Sequence, residues 1–236
     1  MKKNFPFIFG LLFLMISSTL FSQPIDGAWK FKSADKHTIL VCKDGYFTHT
    51  QFTPKEFLFS WGGVLKINDT QIKISIEFNS ANSEMVGKEM IYDFVISNDQ
   101  LQINEDGVPI KYKRIDDGTA TLAGVWKISG REQGEKVVAI HQTGARKTLK
   151  ILTGSRFQWF AINPETKQFS GTGGGTYSFI NGKYTESILF FSRDNNRVGA
   201  QLTFDGKIED GKWHHSGLSS KGDKIYEVWG RENYEL

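Results

Sequence analysis

The sequence predicts an all-β protein in which two tandem antiparallel up-and-down β-barrels follow an N-terminal signal peptide. Three observations carry this prediction. An apolar segment opens the chain, the remainder contains one unit twice, and each copy alternates apolar and polar residues with the period of a β-strand. The predicted boundaries are residues 1–22 for the signal peptide, 24–116 for the first barrel and 120–234 for the second.

Composition limits the classes of function. Of the 236 residues, 39% are hydrophobic and 23% are charged, which is typical of a globular protein rather than a disordered or fibrous one. The net charge of +3 falls to +1 when Lys2 and Lys3 leave with the signal peptide, so the basic surface that nucleic-acid binding needs is not expected. Cys42 is the single cysteine, which excludes an intrachain disulfide and a multi-cysteine metal site.

The first segment is typical of a secretory signal peptide. Lys2 and Lys3 precede an apolar stretch over residues 5–21, which is shorter than the roughly 20 apolar residues of a membrane-spanning helix. We expect cleavage between Ser22 and Gln23 and a mature chain that is periplasmic or secreted. No later segment is predicted to span a membrane as a helix.

The repeat is visible in short motifs and in one long ungapped match. Residues 27–30 (GAWK) recur as residues 124–127 (GVWK), an offset of 97. Residues 61–96 match residues 173–208 at an offset of 112, with ten identities in 36 positions. The offset is 110 just before that match and 117 at the end of the copies, so the second copy carries three insertions.

Period-2 alternation within each copy predicts short antiparallel strands. In residues 71–78 (QIKISIEF) the apolar side chains, including Phe78, fall on one face. Turn-forming pairs separate such segments: Asn68-Asp69, Asn98-Asp99, Asn181-Gly182 and Asp205-Gly206. About eight strands are expected in the first copy and nine or ten in the second, whose first insertion contains the apolar run 137–141. Closure into a barrel would remove the exposed strand edges.

A Gly-x-Trp on the first strand and an arginine on the last strand of a meandering barrel resemble the lipocalin-like (calycin) group. The resemblance implies that the tryptophan closes one end of the barrel and that the arginine packs across it. The pairs would be Trp29 with Arg114 and Trp126 with Arg231.

The second copy is similar to one subgroup, the lipocalin-like domains of secreted Bacteroidetes proteins of unknown function. The segments that carry the similarity are 171–177 (GTGGGTY), 182–186 (GKYTE), 202–207 (LTFDGK) and 212–217 (KWHHSG). The similarity covers residues 120–232 well and residues 24–116 loosely. It implies a fold and a location, and it implies no activity.

Comparison of the copies identifies unusual residues on inward-facing rows. Side chains alternate strictly along a strand, so the apolar face of the first copy can be transferred to the second. Five apolar positions become polar or amphipathic: Leu65 becomes Tyr177, Ile72 becomes Tyr184, Ile74 becomes Glu186, Leu101 becomes Trp213 and Ile103 becomes His215. Burial of an unpaired carboxylate costs several kcal/mol, so we expect either internal pairing or a ligand in a wetter cavity.

Three roles stay open for these residues. Glu186 pairs internally with His215 or Arg231, or the group lines a binding pocket, or Glu186 acts as an acid or base with His215 as its partner. A zinc site is not expected, because adjacent His214 and His215 point to opposite faces and too few other ligands are near. The glycines of residues 171–175 precede a strand and lack the Lys-Ser/Thr of a phosphate loop, so they are expected to permit a bend, a bulge or a close backbone approach.

The leading interpretation is an exported, non-enzymatic protein that binds a small hydrophobic or amphipathic ligand inside the second barrel. The predicted ligand-binding residues are Tyr177, Tyr184, Glu186, Trp213, His215 and Trp159, and no cofactor or metal is expected. The first barrel, whose compared inner positions are all apolar, would be structural or an interaction module. The alternatives are an enzyme of the barrel interior and an envelope protein that acts through a protein partner. The short linker over residues 116–119 should hold the barrels in contact.

Overall fold

The computed structural model describes residues 25–134, 136–141, 143–219 and 222–234. The predicted signal peptide, residues 1–22, lies outside the described residues. The described chain is mostly β-strand and includes two single-turn 3-10 helices, Ser83–Met85 and Asn195–Arg197. No helix in this part of the chain is long and apolar enough to cross a membrane. The predicted all-β fold class is confirmed.

The first copy forms a closed eight-stranded antiparallel barrel. Its strands are β1 (Gly27–Ser33), β2 (Lys36–Lys43), β3 (Tyr46–Phe52), β4 (Phe57–Ile67), β5 (Gln71–Asn79), β6 (Glu89–Ser97), β7 (Gln100–Glu105) and β8 (Val108–Asp116). Each strand pairs with its neighbours in sequence, and β8 pairs with β1 to close the sheet. Closure removes the exposed edges that a free meander would leave.

The second copy closes in the same way and carries one additional strand. Its strands are β9 (Gly124–Gln133), β10 (Lys136–Ala139), β11 (Lys147–Leu152), β12 (Arg156–Asn163), β13 (Gln168–Ile180), β14 (Lys183–Phe191), β15 (Gln201–Glu209), β16 (Lys212–Leu218) and β17 (Lys224–Glu232). β17 pairs with β9 to close the barrel. β10 lies in the first insertion and forms a hairpin with the second half of β9, while β11 pairs with the first half.

Tight turns form at residues that tolerate positive φ. One of the predicted turns does not form. Asn181 and Gly182 join β13 to β14 with φ values of 50° and 75°, as a type I′ hairpin turn requires. The turn predicted at Asp205 and Gly206 is wrong, because both residues lie inside β15. A Cβ on Gly206 would lie 3.0 Å from the ring of Phe179, so the glycine there makes room for an aromatic side chain.

A β-bulge at a pair of glycines redirects one strand of the first barrel. The register shifts between Gly62 and Gly63, so that Glu77 is an extra residue on β5. A bulge turns the side chain that follows it to the other face of the sheet. Phe78 therefore leaves the interior face on which alternation places it. Its ring packs on Phe160 of the second barrel, with centroids 4.8 Å apart.

The second barrel repeats this bulge in its glycine-rich segment. The register shifts between Gly174 and Gly175, so Leu189 is the extra residue of β14. A Cβ on Gly175 would collide with the carbonyl oxygen of Ser187 on the neighbouring strand. The expectation that this run permits a bulge and a close backbone approach is confirmed.

We expect Gly175→Ala to lower the free energy of unfolding by about 1–3 kcal/mol, the range for overpacking. Gly230→Ala is the matched control in β17, because nothing lies within 4 Å of its added Cβ. The control is expected to stay within about 0.5 kcal/mol of the parent. Urea unfolding measures both, and equal stability of the two variants would contradict the steric requirement.

The two barrels pack against each other through an apolar cluster that draws on both. Its buried members are Ile39, Val41, Tyr46, Phe52 and Phe78 from the first copy and Val125, Leu149, Ile151, Phe160, Ile162 and Phe190 from the second. Two further clusters fill the barrel interiors. The described chain therefore has a core inside each barrel and a third core between them, in agreement with the contact that the short linker predicts.

A buried polar network lies within this interface. The side-chain amide of Gln158 on β12 accepts hydrogen bonds from the hydroxyls of Thr48 (2.8 Å) and Thr50 (3.1 Å) on β3. It donates to the hydroxyls of Ser60 and Thr172, each at 3.0 Å. All the hydrogen-bonding capacity of the amide is thus used across the two barrels. A fully satisfied network of this kind fixes the orientation of one barrel relative to the other.

Candidate functional site

Four of the six predicted ligand-binding residues meet inside the second barrel. Tyr184 and Glu186 on β14 and Trp213 and His215 on β16 are buried, as the transfer from the first copy predicts. The ring centroid of Tyr184 lies 4.9 Å from that of Trp213 and 5.6 Å from that of His215. His214 is less buried, since it lies on the opposite face of β16.

The other two predicted residues lie at the margin of this group. The hydroxyl of Tyr177 donates to the carbonyl oxygen of Thr153 at 2.6 Å, and its ring lies 5.7 Å from that of Tyr184. Trp159 packs edge-on against Phe191, with ring centroids 5.6 Å apart. Among the residues described here, no ring contact joins Trp159 to Tyr184. Both residues pack against the apolar cluster that contains Tyr184 and Trp213, and Tyr177 is the one in ring contact with Tyr184.

Glu186 has an internal partner, Lys150 on β11. The ammonium Nζ of Lys150 lies 2.9 Å from Oε1 of Glu186, and the two side chains are 5% and 6% exposed. The same ammonium is 5.1 Å from each ring centroid of Tyr184, Trp213 and Trp229. Aromatic faces attract a cation, so the rings and the carboxylate together hold one buried charge. Glu186 is thus paired internally, but with neither of the partners that the sequence suggested.

His215 faces a second carboxylate, Glu227 on β17. Nδ1 of His215 lies 3.5 Å from one oxygen of Glu227, and the guanidinium of Arg131 lies 2.6 Å from the other. Burial lowers the pKa of His215, so the ring is neutral at pH 7. Burial alone would raise the pKa of Glu227, but the His215 ring and the positive charges of Lys150 and Arg131 outweigh it and lower that pKa to about 2.

Lys150 and Glu227 were missed in the sequence prediction, although the repeat contains the signal for both. Lys150 takes the position of Leu40 at the offset of 110, and Glu227 takes that of Ile110 at the offset of 117. The strand register agrees, because Lys150 and Leu40 each lie opposite the tryptophan of the first strand of their copy. The ungapped match over residues 61–96 reaches neither position.

Three buried nitrogens in this interior have neither a hydrogen-bond nor an ion-pair partner among the described residues. They are Nε1 of Trp213, Nε1 of Trp229 and Nε2 of His215. Burial raises the pKa of Tyr184 far above its usual value and the charge of Glu186 raises it further, so the hydroxyl stays protonated. Unpartnered buried donors are costly, so the aromatic packing of this interior has to offset them.

The first barrel contains a cavity of about 340 Å³ at its end away from Trp29. Its apolar lining includes Trp61, Met90 and Tyr92, and its polar lining includes His49, Gln51 and Glu105. Small-molecule pockets begin at about this volume and combine a mostly apolar wall with a few polar groups. The cavity therefore has the size and lining of a binding pocket.

His49 on β3 is the most unusual residue of this cavity. Its ring stacks against Phe59 and Trp61, with centroid distances of 5.4 and 5.6 Å. Its Nδ1 is buried and has no hydrogen-bond partner in the described part of the chain. Burial lowers the pKa of His49 from 6.5 to about 4, so the imidazole is neutral at pH 7. A neutral imidazole is thus part of the aromatic wall of the cavity.

This cavity corrects the expectation that the inner face of the first barrel is wholly apolar. The compared positions came from β4, β5 and β7, whereas His49 and Gln51 lie on β3. In the second barrel, Trp159 takes the position of His49, and Gly173 takes that of Trp61. A Cβ on Gly173 would lie only 2.7 Å from Nε1 of Trp159, so the indole lies over bare backbone. The second barrel thus places an indole where the first places an imidazole beside a cavity.

His49 is expected to make stability depend on pH below neutrality. Between about pH 4 and 6.5 the unfolded chain binds a proton at His49 that the folded chain does not, because burial lowers the folded-state pKa. The free energy of unfolding therefore falls as the pH drops through this window, and His49 contributes no slope above it. His49→Gln is expected to reduce the slope but not remove it, since the lowered pKa of His215 acts in the same direction. Urea unfolding across the window measures this, and equal slopes for both proteins would contradict the assignment.

At the opposite end of each barrel an arginine lies over a tryptophan. The guanidinium carbon of Arg114 is 4.0 Å from the ring centroid of Trp29, and that of Arg231 is 4.1 Å from the ring centroid of Trp126. Both tryptophans are fully buried, and each indole N–H donates to the carbonyl oxygen four residues earlier. The two copies therefore close this end of the barrel in the same way.

The described side chains do not favour a metal site. Within the described ranges, no group of three His, Cys, Asp or Glu side chains is arranged to hold a metal ion. Cys42 is buried inside the first barrel, and burial raises the pKa of its thiol far above the usual range. A buried, protonated thiol is neither a good metal ligand nor a good nucleophile.

Comparisons with known proteins do not assign the chain to a family. No family model matches it, and no curated protein matches it. Among solved structures, a Helicobacter pylori beta clamp bound to a DNA ligase peptide aligns with 8% identity and a TM-score of 0.17. That alignment covers 89% of this chain and 59% of the clamp chain, so this chain spans less than two thirds of the clamp chain. At such a TM-score the likeness carries no argument, and the function has to be inferred from the geometry described above.

Proposed function

We propose that the protein is an exported binder of a small, mostly apolar molecule and that the first-barrel cavity is its binding site. The observation that carries this proposal is the 340 Å³ aromatic-lined cavity, whose wall includes the neutral imidazole of His49. Affinity would come chiefly from apolar burial, at about 25 cal/mol per Å² before the costs of binding are subtracted. The polar groups would orient the ligand.

The polar lining favours an uncharged ligand with one hydrogen-bonding group. The described lining residues include no lysine or arginine, so an anion would be buried without a countercharge. His49 is neutral at pH 7 because burial lowers its pKa. Burial also raises the pKa of Glu105, whose carboxyl accepts a long hydrogen bond from Tyr112 at 3.4 Å. A neutral alcohol, phenol or amide on an apolar body fits these groups best.

The proposal includes export and kinship with the lipocalin-like domains of secreted Bacteroidetes proteins. The basic-then-apolar N-terminal segment supports export. Two tandem eight-stranded antiparallel barrels are consistent with a lipocalin-like fold. N-terminal sequencing of the protein from its own envelope fraction tests the export step, and a chain that still begins at Met1 would contradict cleavage after Ser22.

Binding of N-phenyl-1-naphthylamine, an uncharged fluorescent probe with an apolar body, tests the cavity. The parent protein is expected to bind the probe saturably with one site, because the dye needs an apolar pocket and no countercharge. Met90→Trp places a larger side chain in the cavity and is expected to weaken binding at least tenfold. His49→Leu keeps the wall apolar but removes the polar atom and is expected to weaken an alcohol-bearing ligand more than the dye.

Ile91→Trp is the matched control for Met90→Trp, because Ile91 is the next residue on β6 and is 56% exposed. We expect the control to bind the probe as the parent does. Equal affinity of the Met90→Trp and Ile91→Trp proteins would overturn the assignment of the cavity. Circular dichroism confirms that both variants remain folded.

The second-barrel interior is a second candidate site, and it is where the sequence prediction placed the ligand. The observation in its favour is the set of three buried nitrogens without partners, two of which are indole donors. Native mass spectrometry of protein from its own envelope would detect a retained small molecule. Tyr184→Phe removes one donor and would release the molecule only if it lies in the second barrel, whereas Met90→Trp would release it only if it lies in the first.

A further inference from the structure

A groove of about 630 Å³ lies on the outer surface where the two barrels meet. Its apolar floor includes Ile39, Phe52 and Ile115 from the first barrel and Ile188 and Leu189 from the second. Its cationic side chains are Lys30, Lys32, Lys111, Lys113 and Arg156. No aspartate or glutamate is among the described residues that line it. The groove therefore combines an apolar floor with positive charges and with no negative charge among its described lining residues.

The positive charges of the groove are not neutralised by the protein. The side chains of the four lysines are exposed and form no ion pair or hydrogen bond with another described residue. Nε of Arg156 is buried and has no partner among those residues. The carboxylate of Asp116 accepts hydrogen bonds from Thr153, Gly154 and Ser155, and its negative charge also acts on Arg156. The four lysines are therefore the uncompensated charges of the groove, and they are a local concentration of charge on a chain of net charge +3.

His37 lies at the edge of the groove, and its pKa responds to the positive charges there. Its ring stacks on Phe52, with centroids 5.5 Å apart, at the edge of the apolar floor. Burial lowers the pKa of His37, and the charges of Lys32 and Lys30 lower it further, against a smaller opposite effect of Asp35. The part of this shift that comes from the two lysines corresponds to a positive potential, which would favour an anion beside His37.

We propose that this groove binds a single-chain anionic amphiphile, with its acyl chain on the apolar floor and its carboxylate or phosphate head among the five cations. The walls offer a peptide strand only a short free edge, where β1 and β8 stop pairing with each other beyond Lys30 and Lys113, whereas the apolar floor and the cations match the two parts of an amphiphile. A flat bilayer surface does not fit a concave groove between two convex barrels. The small amphiphile satisfies both the floor and the charges.

This groove and the first-barrel cavity are distinct sites. The cavity favours an uncharged ligand and the groove favours an anionic one. The cavity has no described cationic lining residue, whereas the groove has five. The two touch at Phe31 and Thr38, which belong to both linings. Filling the cavity therefore has to be tested separately from removing the groove charges.

Titration with dodecanoate below its micellar concentration tests the groove, with dodecanol as the uncharged probe of equal chain length. In the Met90→Trp protein, whose cavity is filled, dodecanoate is expected to bind at one site, at least tenfold more tightly than dodecanol, and more weakly as the salt concentration rises. Lys30→Gln combined with Lys113→Gln is expected to weaken dodecanoate binding at least tenfold. Lys136→Gln combined with Lys212→Gln removes the same charge from exposed strand positions outside the groove and is expected to leave affinity unchanged.

Three outcomes would overturn the proposal. One is unchanged dodecanoate binding in the Lys30→Gln/Lys113→Gln protein. Another is loss of that binding in Met90→Trp, which would move the fatty acid into the first-barrel cavity. The third is sedimentation with phosphatidylglycerol vesicles without binding of free dodecanoate, which would identify a membrane surface as the partner. Retained binding in Met90→Trp together with loss in the double lysine variant supports the groove whether or not the cavity binds its own ligand.

Discussion

Lys150→Leu is expected to lower the free energy of unfolding by about 3–5 kcal/mol, the largest effect of any single substitution considered for this protein. The ammonium of Lys150 lies 2.9 Å from Glu186, and both side chains are almost completely buried. Removal of the cation leaves a buried carboxylate without its countercharge. Urea unfolding followed by circular dichroism measures the loss.

The repeat supplies both a control and a rescue for this substitution. Lys183→Leu breaks an exposed ion pair with Asp205, and we expect a change within about 1 kcal/mol. Lys150→Leu combined with Glu186→Ile installs the residues that the first barrel carries at these positions, and it is expected to recover most of the lost stability. A single Lys150→Leu variant as stable as the parent would contradict the ion pair.

Gln158→Leu is expected to lower the free energy of unfolding by about 2–3 kcal/mol. The change leaves the buried hydroxyls of Thr48 and Thr172 without the amide that serves them. Part of the loss is offset, because the hydroxyls of Thr50 and Ser60 still bond each other at 2.8 Å. Thermal unfolding of the parent and the variant at one protein concentration measures the effect.

Gln201→Leu is the control for the Gln158 substitution. The amide of Gln201 lies on an exposed position and makes one long hydrogen bond to Ser187, at 3.3 Å. We expect this change to stay within about 0.5 kcal/mol of the parent. If both glutamine variants were equally stable, the network between the barrels would not be contributing to folding.

The strands were predictable from the sequence because alternation and the repeat report the same physical constraint. Side chains that alternate between core and solvent leave a period of two, and a duplicated unit shows that period twice. Alternation fails where the backbone adds a residue, and Phe78 therefore appears in the interface rather than in the barrel. It also cannot distinguish a turn glycine from a strand glycine such as Gly206.

The candidate sites were only partly predictable, because they depend on pairing and volume. The burial of Glu186 and His215 followed from their apolar counterparts in the first copy. Their partners Lys150 and Glu227 were not among the positions that were compared between the copies, so neither ion pair was found. The cavity depends on whether an indole or an imidazole occupies one position of the barrel wall, and Trp159 and His49 differ there in volume rather than in pattern. The alternation of apolar and polar residues is the same in both cases, so it cannot indicate this difference in volume.

Strand β3 contributes side chains both to the first-barrel cavity and to the interface between the barrels. His49 and Gln51 point into the first-barrel cavity, while Thr48 and Thr50, which alternate with them, hold Gln158 of the second barrel. One strand is therefore a common wall of two compartments. A displacement of β3 on the cavity side would also move the hydroxyls on its other face, so the two barrels are mechanically coupled through this strand.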